Sequence, residues 1–316
     1  MSESKFDAPG VPYINQSIEP RLSWSGAVEA LRAAHRQARA TSADLLIPMN
    51  DGELLTRSAS IAGFGAGTKT VSIIAGNPRK RPPLPAVQGL FILFEEVDGR
   101  PVALIDGAVL TKWKTVADSL LGASLLARAN PRRLTLIGAG AMATALAEGY
   151  CTFFASLETV RIWSRTPATA ARLARTIGEG AVVCETSRAA VADADIIVCA
   201  TGARKPMLNG AWVKPGAHVD LVGAHGPAMR EADDELMRRA RLFVDSRETT
   251  IEHIGELMIP IASGVITREN VLGDLYDLIA DEMPARAQED ITVFKNGGGA
   301  HLDLMTARYM LDAASL

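Results

Sequence analysis

The chain has 316 residues, 48% of them hydrophobic and 22% charged, with 33 Lys and Arg against 36 Asp and Glu and a formal net charge of −3. That length suits two domains with a large core, and the composition excludes a fibrous or disordered chain. The slight negative charge gives no electrostatic reason to expect nucleic acid or an anionic membrane as a partner. Residues 1–7 lack the basic-then-apolar pattern of a signal peptide, and no apolar run reaches the ~18 residues of a spanning helix, so a cytoplasmic location is expected. Cys151, Cys184 and Cys199 lie far apart without metal-type spacing. Buried free thiols are expected there, with no metal site and no disulfide framework.

In chain order, residues 23–40 form an alanine-rich amphipathic pattern opening near Ser25, which predicts a helix. Short apolar runs follow at 45–47, 67–75, 88–94 and 101–105, separated by turn residues, and predict a mainly antiparallel sheet. The proline-rich basic stretch 76–85 reads as a loop between strands, either solvated or anion-binding. A long helical pattern over 112–128 leads to a second texture. Strand-like runs at 134–137, 160–163, 181–184, 196–200, 218–222 and 242–245 alternate with helical segments, as in a doubly wound parallel sheet. The last stretch, 291–316, contains Gly297-Gly-Gly299 and then a helix.

The chemistry concentrates around Leu134-Thr-Leu-Ile-Gly-Ala-Gly-Ala-Met-Ala143, an apolar strand running into Gly138, Gly140, Ala141 and Met142 at the start of a helix. Glycines at these positions allow a tight turn and let backbone N–H groups approach a pyrophosphate at the positive end of the helix. The next strand ends about 20 residues on in Ser164-Arg165-Thr166, where this architecture reads the adenosine ribose. An acidic residue there would bind a ribose 2′-OH. A guanidinium flanked by two hydroxyls instead suits a 2′-phosphate, unless Arg165 is simply solvated, so NADP(H) is favoured with NAD(H) still admissible.

Asp106-Gly107 with Leu110-Thr111, Thr115, Gly138-Ala-Gly140, Trp163-Ser-Arg-Thr-Pro167, Trp212-Val-Lys-Pro-Gly216, Val222-Gly223, Asp245-Ser246 and Thr292-Val-Phe-Lys-Asn296 together resemble the ornithine cyclodeaminase/mu-crystallin family over about residues 45–310. The resemblance implies a Rossmann domain, 116–299, that binds NADP(H), and a discontinuous α+β substrate and dimerisation domain, 1–115 with 300–316, in a homodimer. The implied substrates carry an imine or amino group next to a carboxylate. Within that frame Lys69 matches the family's substrate-contacting lysine and is a candidate acid/base or water-activating group. Arg57 offers a planar fork for a carboxylate. Lys114 stands where the family typically has arginine; it keeps the charge and loses the fork. Thr115, taken as the start of the long helix, contacts a cofactor phosphate or supports the helix start.

Thr201 and Gly202, at the carboxyl edge of the sheet, are candidates for the nicotinamide ribose, and Lys295 and Asn296 for the segment returning toward the nicotinamide. Asp303, on the final helix, offers a carboxylate to position a lysine or lies exposed. His225 occupies the place where cyclodeaminase members carry an aspartate. It is either a proton shuttle or structural, and it supplies no constant carboxylate for an ornithine ammonium. The expected activity is therefore NADPH-preferring reduction of a cyclic ketimine, with Δ1-pyrroline-2-carboxylate the first substrate to consider. An alanine or other amino-acid dehydrogenase comes next, then ornithine cyclodeaminase, and outside enzymes an NADPH-dependent small-ligand binding protein of the mu-crystallin kind.

Overall fold

The computed structural model describes residues 10–281 and 286–315. Residues 1–7, on which the expectation of no signal peptide rests, lie outside them. The chain divides into two compact units, Met1–Lys114 with Ala300–Leu316, and Thr115–Gly299.

In the first unit the described residues form a six-stranded sheet from β1 (Tyr13–Ile14), β2 (Thr41–Met49), β3 (Gly52–Ile61), β4 (Gly65–Ile73), β5 (Val87–Phe94) and β6 (Pro101–Asp106), in the order β1-β6-β5-β4-β3-β2. Neighbours are antiparallel except for the β1–β6 pair. Helix α1 (Trp24–Ala34) opens at Ser23, whose hydroxyl accepts the Gly26 N–H, and it buries Trp24, Val28 and Leu31 at i, i+4 and i+7. It stops short of the predicted end at residue 40, where His35 Nδ1 closes on the Leu31 carbonyl at 2.7 Å. Strand β3 has no counterpart among the predicted strands. Its sequence, Gly-Glu-Leu-Leu-Thr-Arg-Ser-Ala-Ser-Ile, lacks a clean apolar alternation, and the strand is held by pairing along its whole length with β2 and β4.

The register puts Asp44, Arg57 and Lys69 on one rung, where directly opposed residues project from the same face. The C-terminal helix, Ala300–Ala314, packs across β3, β4 and β5.

Helix α2 (Gly107–Leu126) begins earlier than predicted because Asp106 Oδ1 accepts the N–H groups of Ala108 and Val109 at 2.9 and 3.0 Å. Thr115 is therefore mid-helix and buried, which removes the helix-start role expected for it.

The second unit is a wholly parallel sheet built from β7 (Arg133–Ile137), β8 (Thr159–Trp163), β9 (Ala181–Val183), β10 (Ile196–Cys199), β11 (His218–Leu221), β12 (Arg241–Val244), β13 (Val271–Gly273) and β14 (Thr292–Lys295). Among the described residues its order is β13-β12-β14-β11-β10-β7-β8-β9. Helix α3 (Ala141–Phe153) links β7 to β8, and α4 (Pro167–Ile177) links β8 to β9. Strands β13 and β14 are too short to show a period in sequence, yet β14 is wholly buried between β11 and β12.

The strand order reverses between β7 and β10, which opens a crevice at their carboxyl ends. Cys199 is buried on β10, whereas Cys151 and Cys184 are only half-buried, contrary to the expectation of three buried thiols. Among the described residues no helix is long and apolar enough to cross a membrane.

Candidate active site

The crevice of the second unit gathers half of the residues proposed for a dinucleotide. Gly138, Gly140, Ser164, Arg165, Thr201 and Gly202 line one cleft, with Trp163 and Met207. Gly138 has φ +113°, and a Cβ there would lie 2.4 Å from the Ala200 carbonyl oxygen, so only glycine makes this turn. A Cβ on Gly140 would project into open space, the volume that a pyrophosphate needs to reach the backbone. Gly140 also caps α3 without a side-chain bond, leaving the helix's first N–H groups, at Ala141 and Met142, to a ligand. Thr166 caps α4, and its own N–H donates to Ser164 Oγ at 3.4 Å. These residues fit a dinucleotide.

Lys295 and Asn296 behave differently. The Lys295 ammonium is buried and donates to the carbonyls of Leu221 at 2.7 Å and Asn296 at 2.6 Å. The Asn296 amide donates to the Thr115 carbonyl and to Ser119 Oγ, both at 3.0 Å. Both side chains are committed inside the fold, and neither is among the residues lining the cleft. His225 is exposed just beyond β11, its Nδ1 3.0 Å from the Gly223 carbonyl.

In the first unit Lys69 is buried on β4, with its ammonium 2.8 Å from both carboxylate oxygens of Asp303. Lys114, on α2 and also buried, lies 3.6 Å from the same carboxylate. Asp303 is fully buried, so it is not the exposed helical aspartate that the sequence left open. Burial would raise its pKa, but Lys114, Lys69 and Arg57 outweigh that and hold the carboxyl below its usual range. Arg57 stands across the strand pair from Lys69, and its Nε and a terminal nitrogen already grip Asp44 Oδ2 at 2.8 and 2.6 Å. The fork proposed for a substrate carboxylate is thus partly engaged by the chain's own Asp44. Lys69, Lys114 and Arg57 thus all act on the one buried carboxylate of Asp303.

Sequence reasoning missed a buried acidic cluster in the second unit. Asp220, Glu231 and Glu256 are each fully buried. Burial pushes Asp220 up to about 7, although Ser119 and Tyr150 bond it, and pushes Glu256 up to about 7 with help from Glu231. Glu231 is also raised by burial, against the pull of Lys295. A charged residue inside an otherwise apolar strand run, as Asp220 is within His218-Val-Asp-Leu221, was the available signal.

A parallel doubly wound sheet with a glycine-turn cleft, joined in one chain to a unit that buries a cation cluster, defines a dinucleotide-dependent oxidoreductase. Residues 23–315 match the ornithine cyclodeaminase/mu-crystallin family model, and the chain belongs to that family. It is 51% identical over 298 residues, 92% of each chain, to a Δ1-pyrroline-2-carboxylate reductase of Paracoccus denitrificans. Among solved structures it resembles Thermococcus litoralis Δ1-pyrroline-2-carboxylate reductase in complex with NADH and L-proline, with a TM-score of 0.88 and 27% identity over 96% of this chain and 97% of that one. An archaeal alanine dehydrogenase dimer with bound NAD matches with the same TM-score and 28% identity, covering 96% of each chain.

Proposed function

We propose that the chain is an NADPH-preferring reductase of cyclic ketimines that converts Δ1-pyrroline-2-carboxylate to L-proline. The observation that carries this reading is the buried pair of ammonium groups, Lys69 and Lys114, sharing the single carboxylate of Asp303. An α-imino acid brings a carboxylate and a basic nitrogen, the two groups that such a cluster of cationic N–H donors would hold. The hydride is what a reduced nicotinamide supplies when bound. The protein's task is to fix the carboxylate and manage a proton at the nitrogen. Lys114 and Arg57 bind the carboxylate. An ammonium has three N–H groups and Asp303 engages at most two, so Lys69 retains one to hold a proton on the imine nitrogen, directly or through water. Asp303 keeps that ammonium aimed.

The NADPH preference rests on Arg165 in the cleft, between Ser164 and Thr166, with no acidic side chain among the residues lining it. Thr115, Lys295 and Asn296 then serve the cofactor by shaping the floor of the sheet. His225, in place of an aspartate, disfavours ornithine cyclisation. The homodimer reading is supported by the opposite face of the first sheet. There Leu45 and Leu90 share a rung through Thr56 and Thr70, and both are exposed with Ile47 beside them.

The test is initial-rate oxidation of NADPH and of NADH with Δ1-pyrroline-2-carboxylate, beside ornithine assayed for ammonia and pyruvate plus ammonia assayed for alanine. Rapid NADPH-favoured consumption with inert ornithine is expected. A faster pyruvate reaction would replace the substrate by a linear imine, the second reading, which the equal structural likeness to alanine dehydrogenase favours. In the same assay Arg165→Ala should raise the NADPH Kd by about tenfold or more and leave NADH unchanged. Equal losses would refute the 2′-phosphate role.

A further inference from the structure

Glu231 makes no part of the cleft lining, yet its carboxylate bonds to Thr201, which lines it. Among the described residues its Oε1 accepts the Thr201 N–H at 2.7 Å and the Thr201 hydroxyl at 2.8 Å. Its Oε2 accepts the Gly223 N–H at 2.6 Å and the Ala224 N–H at 3.3 Å. Thr201 follows β10, and Gly223 and Ala224 follow β11. One buried carboxylate therefore ties together the carboxyl ends of two adjacent strands. The approach is close enough that a Cβ on Gly223 would lie 2.1 Å from the Thr201 carbonyl oxygen and 2.6 Å from Glu231 Oε1. Glu231 is itself anchored from behind, since Glu256 accepts its N–H at 2.8 Å and that of Ala232 at 2.9 Å.

The sheet order gives this clasp a direction. From the glycine turn after β7, the β8 side carries Ser164 and Arg165, the adenosine half of a dinucleotide, and the β10 side carries Thr201 and Gly202. Glu231 acts only on the β10 and β11 side. We infer that Glu231 is a positioning residue for the nicotinamide half of the cofactor, setting the backbone of the Thr201–Gly202 edge and of the Gly223–His225 turn through one carboxylate. The inference rests on the cofactor reading above. Four donors converging on two oxygens require a carboxylate: a carboxamide offers one accepting oxygen and turns an NH2 toward N–H groups that then lose their partner.

The experiment measures binding of NADPH, by the change in its nicotinamide fluorescence, and of 2′-phospho-ADP-ribose, by calorimetry, to the wild-type chain and to Glu231→Gln. The same pair is run with NADH and ADP-ribose. The variant should lose about tenfold or more in affinity for the whole cofactor and keep wild-type affinity for the fragment that lacks nicotinamide. Retained fragment binding also shows that the variant is folded. Glu231→Asp keeps the charge but is one methylene short, so it should show the same selective loss to a smaller degree. Equal losses for cofactor and fragment in both variants, or no loss for either, would overturn the positioning role. A wild-type chain that binds neither reduced cofactor would overturn the cofactor reading and this inference with it.

Discussion

Each unit buries several charges, and the two differ in which sign clusters. In the first, two ammonium groups share one carboxylate, with a further Arg57–Asp44 pair on the same sheet rung. In the second, the carboxylates of Asp220, Glu231 and Glu256 are among those fully buried, with the Lys295 ammonium drawing on all three. The acidic surplus is neutralised within the fold. Backbone N–H groups bond Glu231 and Glu256, and burial keeps protons on Asp220 and Glu256 up to about pH 7. The lysines of the first unit instead gather as N–H donors around Asp303, an arrangement that suits an anionic ligand.

The sharpest break of that contrast is Lys69→Met. If the buried lysine pair serves the reaction, kcat for ketimine reduction should fall by about a thousandfold while NADPH binding is unchanged, read by steady-state rates and cofactor fluorescence. A kcat within a few fold of wild type would place Lys69 outside the chemistry.

Asp303→Asn tests the other partner. It leaves two buried ammonium groups without their counter-ion and should destabilise the chain by about 3–5 kcal/mol in urea unfolding at pH 7. Because the Asp303 pKa is lowered in the fold, its contribution is present above the usual carboxylate pKa and is lost as pH falls through the folded value. The difference between variant and wild type should therefore shrink toward acid pH. A constant difference would mean that the carboxylate charge is not what matters.

Asp220→Asn should have the smallest effect, with the opposite sign. A carboxyl raised to about 7 contributes stability that is full below its unfolded pKa near 4 and is lost as pH rises through about 7. The variant should come closest to wild type below about pH 4 and melt roughly 3 °C higher at pH 8.5 for each kcal/mol recovered, by scanning calorimetry. A variant destabilised equally at both values would show that the Tyr150 and Ser119 bonds, not the proton, set the energetics of this site.

What could be read in the chain is what depends on near neighbours. The Gly138-Ala-Gly140 turn, the alternation of strands and helices after residue 134, and the Ser164-Arg165-Thr166 terminus are each local patterns, and the structure brings the glycines, Ser164 and Arg165 to one cleft. Short-range patterns also misled. The start of α2 was set by an Asp106 cap outside the apolar period, which moved Thr115 to mid-helix.

Strand β3, rich in Thr, Arg and Ser, owes its conformation to partners on both edges, and β14 owes its central place to burial between β11 and β12. The decisive electrostatics were least legible. Lys69 and Asp303 meet across 234 positions, and Glu231 spans two strand ends. Composition and periodicity name the charged residues, but whether a charge is solvated, paired or left in surplus depends on which distant groups share its low-dielectric surroundings. Only the tertiary structure decides that.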